Sequence, residues 1–399
     1  MTGLKRQGAS RSLRACSRAL AISMGLWSLL AAMHSAPLQA YPQWQLSTGA
    51  VRCTECHFSP GGGGLITEYG RDAMSGEQAT FGGNGALLHG LARPPSWLAI
   101  GADLRGAYVA QAVQDPGGTK QAVFPMQADL EARAVLSDFS LYGTVGERVQ
   151  VRPNDSLVPE QNYQPISTSR LISREHYLMW RPAAVGPYAR VGRFYAPFGL
   201  RLAEHVLYIR RDLGLNQLEE SYNLSVGLVG DTSEVHVTAF APDFVRHIGG
   251  HTSGLAVYAE RRIFDDAALV GGQGKLELGE DSTRRAILGL LGKRFVSSWK
   301  TLFFAEANGV RLMTDGGDSN QFVGLAGGSV FPVRGLMLTA LVERRQTDLR
   351  VRDTGTDGAA LLVNWFPYAH VELEAMGRLQ SPSGEDTAKT LLVQLHYIL

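Results

Sequence analysis

Apolar and polar residues alternate along most of the chain from Trp97 to Leu399. In Val371–Leu379 small or apolar residues alternate with charged ones almost without exception, and the same period recurs in Ala128–Ala134 and Leu98–Arg105. A period of two indicates β-strands with one apolar face and one polar face. The runs reach roughly 10–13 residues, which suits strands tilted across a membrane better than the about 5–6 residues of a typical soluble strand.

Sixteen such runs are visible, an even number in the range of bacterial outer-membrane barrels. They begin near Trp97, Pro125, Asp138, Leu171, Gly186, Glu219, Ser233, Thr252, Ala267, Thr283, Lys300, Gln321, Arg334, Asp357, Ala369 and Thr387. Short connectors alternate with long ones such as 152–169 and 199–218. The pattern predicts a mainly β fold, an antiparallel transmembrane barrel of about 16 strands over residues 97–399. A secreted β-helix or a multi-sandwich protein is the alternative fold.

The last predicted strand runs to the final residue of the chain. Its outward side chains would be Leu391, Val393, Leu395, Tyr397 and Leu399. By the same parity, charged side chains of both signs face the lumen: Asp103, Arg105, Asp129, Glu131, Arg133, Glu306, Glu343, Arg345, Glu372, Glu374 and Arg378. The mixed signs indicate a hydrated barrel wall without strong ion selectivity.

The first 40 residues have a composition of their own. Five basic residues and no acid precede an apolar run of 15 residues, Ala19–Met33, and small residues follow as far as Ala40. This order predicts a secretory signal peptide over 1–40, since the apolar run is shorter than the ~20 residues of a membrane-spanning helix. The remaining chain has 33 basic and 37 acidic residues, a net charge of −4, which gives no support for a nucleic-acid partner.

The 399 residues include only three cysteines, so a disulfide-built scaffold is excluded. Two of them lie in Cys53–His57, which reads C-x-x-C-H. Two thiols one helical turn apart can each form a thioether to one porphyrin, and the following histidine is then the proximal iron ligand. We therefore predict one haem c attached covalently to Cys53 and Cys56, with His57 as the proximal ligand of its iron. A thioredoxin-like redox pair of cysteines would need a surrounding βαβ pattern, and none is visible. A zinc site would need a second pair of ligands at a recognisable spacing, and the sequence has none.

The sixth iron ligand has several candidates. Met74 follows a segment that suits a short helix and is preferred, His89 in a glycine-rich stretch is the alternative, and an open or barrel-supplied position is the third choice. Methionine would raise the reduction potential relative to histidine. Arg52 and Arg71 are candidate partners of the haem propionates, with solvated surface arginines as the alternative. Glycines 61–64 would let the backbone approach the porphyrin.

The patterns divide the chain into four parts. These are a signal peptide (1–40), a monohaem cytochrome c-like domain (41–80), a glycine-rich linker (81–96) and the barrel (97–399). Because the N-terminus of such a barrel lies on the periplasmic side, the small domain can enter the lumen as a plug. No pair of histidines shows H-x-x-H or H-E-x-x-H spacing, so a dedicated metal site is not indicated.

This organisation resembles the fused outer-membrane monohaem cytochrome–porins of iron-oxidising bacteria. Locally the resemblance includes Thr48-Gly49 before the motif, Pro60 after it, and Tyr69–Arg71. It implies haem attachment through Cys53, Cys56 and His57 in the outer membrane of a Gram-negative bacterium, with electrons passing from extracellular Fe(II) to periplasmic c-type cytochromes. Gly192–Arg201 also looks like a strand and loop of phosphate-selective porins.

Two functions are consistent with these patterns. The first is an outer-membrane electron conduit between an extracellular donor or acceptor and periplasmic cytochromes. The second is a porin for small solutes in which the haem domain is a plug or a sensor. A haem peroxidase ranks last, because the sequence has no recognisable acid–base residues for an open distal site, and there is no hydrolytic or transferase signature.

Overall fold

The computed structural model describes residues 42–47, 49–72, 78–112, 119–148, 171–216, 218–245, 252–279 and 282–399. The predicted signal peptide and Met74 lie outside these residues. In the part of the chain so described, no helix is both long and apolar enough to cross a bilayer. The described helices are short: α1 (Cys53–Cys56), α2 (Glu68–Asp72) and α3 (Tyr208–Arg211).

Sixteen strands follow the N-terminal helices. The first eight are β1 (Leu98–Ala112), β2 (Thr119–Leu136), β3 (Phe139–Arg148), β4 (His176–Trp180), β5 (Gly186–Phe194), β6 (Ser221–Val229), β7 (Ser233–Ala241) and β8 (Thr252–Ile263). The second eight are β9 (Ala268–Gly279), β10 (Arg284–Val296), β11 (Thr301–Thr314), β12 (Gly317–Val333), β13 (Leu336–Gln346), β14 (Gly355–Trp365), β15 (Val371–Pro382) and β16 (Ala388–Ile398).

Each strand pairs antiparallel with its neighbours in the sequence, and β1 pairs with β16 to close a barrel, so the predicted fold class is confirmed. Three predicted starts were misplaced by more than three residues. β2 begins at Thr119 rather than Pro125, because a register shift opposite Arg105 and Gly106 takes the proline into the strand. A bulge tolerates a residue that has no N–H to donate. β4 begins at His176 rather than Leu171, and β12 at Gly317 rather than Gln321.

The outer wall of the barrel is apolar. Large aliphatic side chains at alternate strand positions are exposed, for example Leu130 at 62%, Leu288 at 75% and Leu361 at 68%. One end of the barrel carries exposed aromatic side chains: Phe81, Trp97, Phe139, Phe264, Trp299, Phe303, Trp365 and Tyr368. An apolar band with an aromatic girdle at its edge is the surface that transmembrane barrels present to lipid.

The two ends of the barrel differ in their connections. At the aromatic end, which we call the turn end, seven connections of two to five residues join the strands, and β1 begins and β16 finishes there. The longest connections leave β3 and β5 at the opposite end, the loop end, and lead to β4 and β6. This asymmetry is typical of bacterial outer-membrane barrels.

Two segments fill the lumen. The described residues between 42 and 90 (42–47, 49–72 and 78–90), here called the N-terminal segment, enter at the turn end, where the backbone N–H of Thr80 donates to the carbonyl of Phe366 and that of Ala369 donates to the carbonyl of Gly82. Residues 195–216 and 218–220, here called the inward loop, fold into the barrel from the loop end, where α3 lies against β12 and β13.

The lumen is lined both by buried charged side chains and by an apolar core. Asp129 and Glu131 on β2 and Glu372 and Glu374 on β15 are buried inside it, as predicted. Facing β9–β15, however, the inward loop packs with wall residues into one apolar core that includes Leu302, Phe304 and Met337. Charges of both signs are paired along the inner wall, for example Arg174 with Asp129 and Lys275 with Glu277. The apolar core was not predicted, because alternation along a strand identifies which side chains point inward but not what covers them.

Candidate functional site

The C-x-x-C-H motif forms a single helical turn, and a backbone hydrogen bond holds the residue that follows it. Helix α1 spans Cys53–Cys56, and the backbone N–H of His57 donates to the carbonyl of Cys53 at 2.8 Å. The Glu55 carboxylate accepts from the backbone N–H of Val51 at 2.9 Å, which holds the start of the helix. Residues three apart on a helix share a face, so both sulfurs point to the same side.

The chain then turns back on itself beside the motif. His57 forms an isolated antiparallel bridge with Ile66, and the residues between them make a tight loop. Gly62, Gly63 and Gly64 have φ between +61° and +74°, a region that favours glycine. A Cβ on Gly62 would lie 3.7 Å from the Cys53 Sγ and 4.0 Å from the His57 Cδ2. The glycines therefore leave the space next to the thiols and the imidazole open.

Helix α2 closes the other side of the motif. The Thr67 hydroxyl donates to the carbonyl of Glu55 at 2.7 Å and accepts from the backbone N–H of Gly70 at 3.0 Å. A Cβ on Gly70 would lie 2.5 Å from the carbonyl oxygen of Cys56, so the two short helices can approach this closely only with glycine there. The buried Arg71 donates to the carbonyl of Ile100 on β1 at 3.1 Å, which fastens the motif to the barrel wall.

Polar contacts connect the motif region to several strands. Arg190 on β5 donates to the Ser59 hydroxyl at 2.8 Å, and its guanidinium stacks on Phe194 at 3.6 Å. On the opposite side Lys293 on β10 donates to the Gln45 side chain at 2.8 Å. The N-terminal segment is thus an integral part of the barrel interior.

Cys53, Cys56 and His57 line one cavity inside the lumen, together with glycines 61–64. Its other walls come from β1, β2, β8, β10 and β16, from residues 174–175 and from the inward loop. Neither cysteine forms a disulfide bond. Burial raises the pKa of Cys53, and burial with the Cys53 and Glu55 charges raises the pKa of Cys56 to about 12. Neutral buried thiols are unlike the thiolate of a thioredoxin-type redox pair.

Arg201, on the inward loop, contacts the motif directly. Its Nη1 donates to the Cys53 Sγ at 3.3 Å, and its guanidinium lies over the Tyr258 ring at 4.4 Å. The Nε and Nη2 groups are buried and have no hydrogen-bond partner within the described ranges. Buried guanidinium donors are costly to leave unpaired, so they are suited to a ligand that carries carboxylates.

The residues present fit a c-type haem. Two thiols and a following histidine face one cavity, a glycine loop leaves that cavity open, and Arg201 brings unpaired donors to it. Arg52 also lines the cavity and forms an ion pair with Glu55 at 2.8 Å. Arg71, the other predicted propionate partner, binds the backbone of β1.

The two predicted sixth ligands are placed differently. Met74 lies outside the described residues. His89 is exposed at the turn end, where its Nε2 lies 3.1 Å from the Tyr397 hydroxyl and its ring contacts His370 edge-on with centroids 4.6 Å apart. Its side chain therefore points to the rim of the barrel.

The inward loop was the part of the site that sequence reasoning missed. Its sequence indicates only a long connection that begins like a strand and loop of phosphate-selective porins, yet it supplies Arg201, Ala203 and His205 to the cavity wall. The available signal was its composition: Leu200, Leu202, Leu207, Ile209, Leu213 and Leu215 are too many large apolar residues for an exposed loop. The structure buries all six.

No protein-family model matches the chain, and no curated protein matches its sequence. Solved structures do match its fold. The chain is similar to OmpT of Vibrio cholerae at 9% identity, over 77% of this chain and 99% of that one, with a TM-score of 0.57. OprB of Pseudomonas putida is 11% identical, over 76% of this chain and 94% of that one, with a TM-score of 0.57. The outer-membrane channel DcaP of Acinetobacter baumannii is 12% identical, over 75% of this chain and 97% of that one, with a TM-score of 0.52. These likenesses show that the chain folds as a barrel of the porin kind.

Proposed function

We propose that this protein is an outer-membrane electron conduit, a monohaem c-type cytochrome fused to a porin-like barrel. One observation carries the proposal: both thiols and the histidine of the C-x-x-C-H motif line a single cavity inside a closed barrel. A c-type haem supplies a one-electron ferric/ferrous couple when bound. The resemblance to the cytochrome–porins of iron-oxidising bacteria agrees with this organisation.

The side chains have distinct roles in this proposal. Cys53 and Cys56 hold the haem covalently and His57 ligates the iron. The guanidinium of Arg201 provides charge-assisted donors for the haem carboxylates, and the apolar core of the inward loop excludes bulk water from one side of the site.

The barrel gives the site its position in the cell. In bacterial barrels short turns face the periplasm, so the N-terminal segment would meet periplasmic c-type cytochromes at the turn end. An extracellular partner would approach from the loop end and exchange single electrons with the site. By the family resemblance this partner is Fe(II), each ion giving up one electron and becoming Fe(III).

The second candidate is a porin for small solutes in which the haem domain serves as a plug or sensor, and the likeness to OprB and DcaP favours it. The packing of the lumen argues against free passage. Trp44 of the N-terminal segment and Leu202 of the inward loop are each only 1% exposed. Both segments would have to move for a solute to pass.

The experiment uses the full chain, produced with a cytochrome c maturation system and reconstituted into vesicles that contain a soluble c-type cytochrome. We expect one covalent haem per chain, and reduction of the enclosed cytochrome when Fe(II) is added outside. The Cys53→Ala/Cys56→Ala variant should abolish both. A His89→Ala variant is the matched control and should keep covalent haem and electron transfer.

Vesicle swelling in small sugars separates the two functions. Swelling without any reduction of the enclosed cytochrome, by a protein that carries haem, would favour the porin. A correctly folded barrel without covalent haem would overturn the conduit.

A further inference from the structure

A buried carboxylate lies directly behind one wall of the cavity. It belongs to Glu204 of the inward loop, whose neighbours in sequence, Ala203 and His205, both line the cavity. We propose that Glu204 binds a proton in step with the redox state of the haem, taking it up on reduction and releasing it on oxidation. This inference rests on the proposed function, because it requires a haem in the cavity.

The first argument is the isolation of this carboxylate. Glu204 is 7% exposed, and within the described ranges neither Oε1 nor Oε2 has a hydrogen-bond partner. An ionised carboxylate is costly to bury without a donor, so such a group tends to bind a proton instead. Burial raises the pKa of Glu204 and the charge of Glu372 adds to the effect, whereas Arg210 and Arg105 oppose it.

The second argument is that these two arginines are committed to other acceptors. Arg210 donates to backbone carbonyls of its own loop, at 2.6, 2.8 and 3.0 Å. Arg105 on β1 donates through Nε and Nη2 to the two carboxylate oxygens of Asp103, at 2.9 and 3.0 Å. A guanidinium held in a fork by another acceptor has its geometry fixed there, so it offers Glu204 a charge but no hydrogen bond.

Neighbouring polar side chains of the barrel wall are committed in the same way. The Asn364 amide on β14 donates to Glu372 and Glu374 on β15, at 2.8 and 3.0 Å. The His396 ring on β16 lies between Glu372 and Asp103, with its nitrogens 2.9 and 3.0 Å from their oxygens. These donors therefore serve carboxylates of the strands.

The third argument is the balance of charge around Glu204. The charged groups of this cluster are four acids and three bases: Asp103, Glu204, Glu372, Glu374, Arg105, Arg210 and His396. Even with a doubly protonated His396 the acids exceed the bases by one, so one further proton balances the cluster. Glu204 and Glu374 repel each other and compete for that proton. Glu374 has the Asn364 amide as a donor, whereas Glu204 has none in the described part of the chain.

This cluster is in electrostatic contact with the cavity. Arg105, Arg210 and His396 line the same cavity as the C-x-x-C-H motif. Charges interact strongly where water is excluded, so an added electron in the cavity favours the neutral form of Glu204. When the external donor supplies one electron, Glu204 takes one proton from water and forms an O–H bond. When the periplasmic cytochrome removes the electron, Glu204 returns the proton to water.

The consequence is a reduction potential that depends on pH. Glu204 has a higher pKa in the reduced protein than in the oxidised protein, and one proton accompanies each electron between these two values. In that interval the potential should fall by up to about 59 mV per pH unit, the equivalent of a tenfold change for one electron. Above and below the interval it should be constant.

The test uses the haem-loaded full chain purified from outer membranes, with Glu204→Gln, Glu374→Gln and the matched control Glu219→Gln. Glu219 lies on the same loop, but its carboxylate accepts from the backbone N–H of Asn216 at 2.8 Å. Midpoint potentials are measured by spectroelectrochemical titration between about pH 5 and pH 9, on either side of neutrality.

The wild type and Glu219→Gln should show a potential that falls with pH. Glu204→Gln should be independent of pH and keep the potential that the wild type reaches at the acid end, because glutamine imitates the neutral acid. Glu374→Gln should keep the slope but move it to lower pH, because a charge that repels the Glu204 carboxylate is removed.

Infrared difference spectra of the reduced minus the oxidised protein give a second readout. A band of a protonated carboxylic acid should appear on reduction of the wild type, shift in deuterium oxide and be absent from Glu204→Gln.

The outcomes separate the possibilities. A wild-type potential that is independent of pH would overturn the inference, and this measurement needs no variant, so a folding defect in Glu204→Gln leaves the inference testable. An unchanged slope in Glu204→Gln would assign the proton to another group, such as a haem carboxylate, and would also overturn it. So would loss of the slope in Glu374→Gln or in Glu219→Gln. Wild-type protein without haem absorbance would refute the proposed function itself, before any potential is measured.

Discussion

The N-terminal segment and the inward loop fill the same lumen in different ways. The inward loop is held mainly by apolar burial, with Leu202, Leu207 and Leu213 at no more than 1% exposure, and by backbone N–H groups that donate to buried carboxylates. The N-terminal segment has Trp44 as its large apolar anchor, and the rest of its contacts are mostly single hydrogen bonds to the wall.

This difference explains why a cavity remains between them. Glycines 61–64 bring no side chains to the cavity, and the residues that the inward loop brings to it include the small Ala203 beside Arg201 and His205. The inward loop therefore provides a rigid support and the guanidinium of Arg201, whereas the N-terminal segment provides the thiols and the imidazole. Four substitutions or conditions test this division, in order of decreasing effect.

The largest effect is expected from removing a carboxylate that holds the inward loop. Glu343 is 4% exposed and accepts from the Tyr208 backbone and from the Arg378 side chain. In Glu343→Ala the buried arginine loses its partner, so the free energy of unfolding should fall by about 3–5 kcal/mol. Urea titration of the barrel in lipid vesicles measures this, and ion conductance should rise as the loop is released.

The exposed pair Arg344–Asp357 is the matched control for that experiment, with side chains 46% and 65% exposed. Asp357→Ala should cost less than about 1 kcal/mol. Equal costs for the two variants would show that the buried carboxylate does not hold the loop.

The anchor of the N-terminal segment should come next. Trp44 lies 4.4 Å from the Phe331 ring and 6.3 Å from the Phe366 ring, centroid to centroid. Trp44→Ala leaves a cavity that costs about 3 kcal/mol, the lower part of the usual range. Because the barrel strands remain paired, the loss should appear as faster proteolysis of residues 42–90 in an intact barrel. Trp299→Ala is the control, since Trp299 is 66% exposed; a similar sensitivity of both variants would contradict the prediction.

A smaller, local effect is expected at Gly70. A methyl group there would meet the Cys56 carbonyl at 2.5 Å, so α1 and α2 would have to separate at a cost of about 1–3 kcal/mol. Amide hydrogen exchange at Thr67 and Arg71 should accelerate and the yield of covalent haem should drop. Gly377→Ala, where a Cβ meets nothing within 4 Å, should leave both unchanged. Unchanged exchange in Gly70→Ala would mean that the close approach is not required.

The smallest effect concerns pH. In the haem-free chain the pKa of Cys56 is raised to about 12 by burial and by the Cys53 and Glu55 charges. A raised pKa means that the folded form binds the proton more tightly, so this stability is present below about pH 9 and is lost as pH rises toward 12. At pH 10 the loss should be about 1 kcal/mol. Urea titrations at pH 8 and 10, compared with Cys53→Ala/Cys56→Ala, isolate the thiols; an equal pH dependence of the two proteins would contradict it.

Much of the barrel was predictable because strand alternation is a local property. In β11 Leu302, Phe304 and Glu306 face inward while Phe303 faces outward, as their positions in the chain require. The strand starts were predicted wrongly where a contact with a distant residue overrides a rule that holds for neighbouring residues. Pro125 looks like a strand start, yet the bulge opposite Gly106 keeps it inside β2.

The candidate site was predictable only where its residues are close in sequence. Cys53, Cys56 and His57 form a contiguous motif that one helical turn brings to one side. His205 and Arg201 lie about 150 residues further along the chain, and no spacing connects them to the motif. The apolar residues of the inward loop indicate that the loop is buried, but they do not identify the strands against which it packs.

The sequence by itself determined the strand content, the inward and outward faces, and the thiol–imidazole motif, because each follows from interactions between residues a few positions apart. Only the tertiary structure decided what fills the barrel. Which side chains meet across the lumen depends on closure between β1 and β16 and on a loop that folds inward, and both are contacts between residues far apart in the chain.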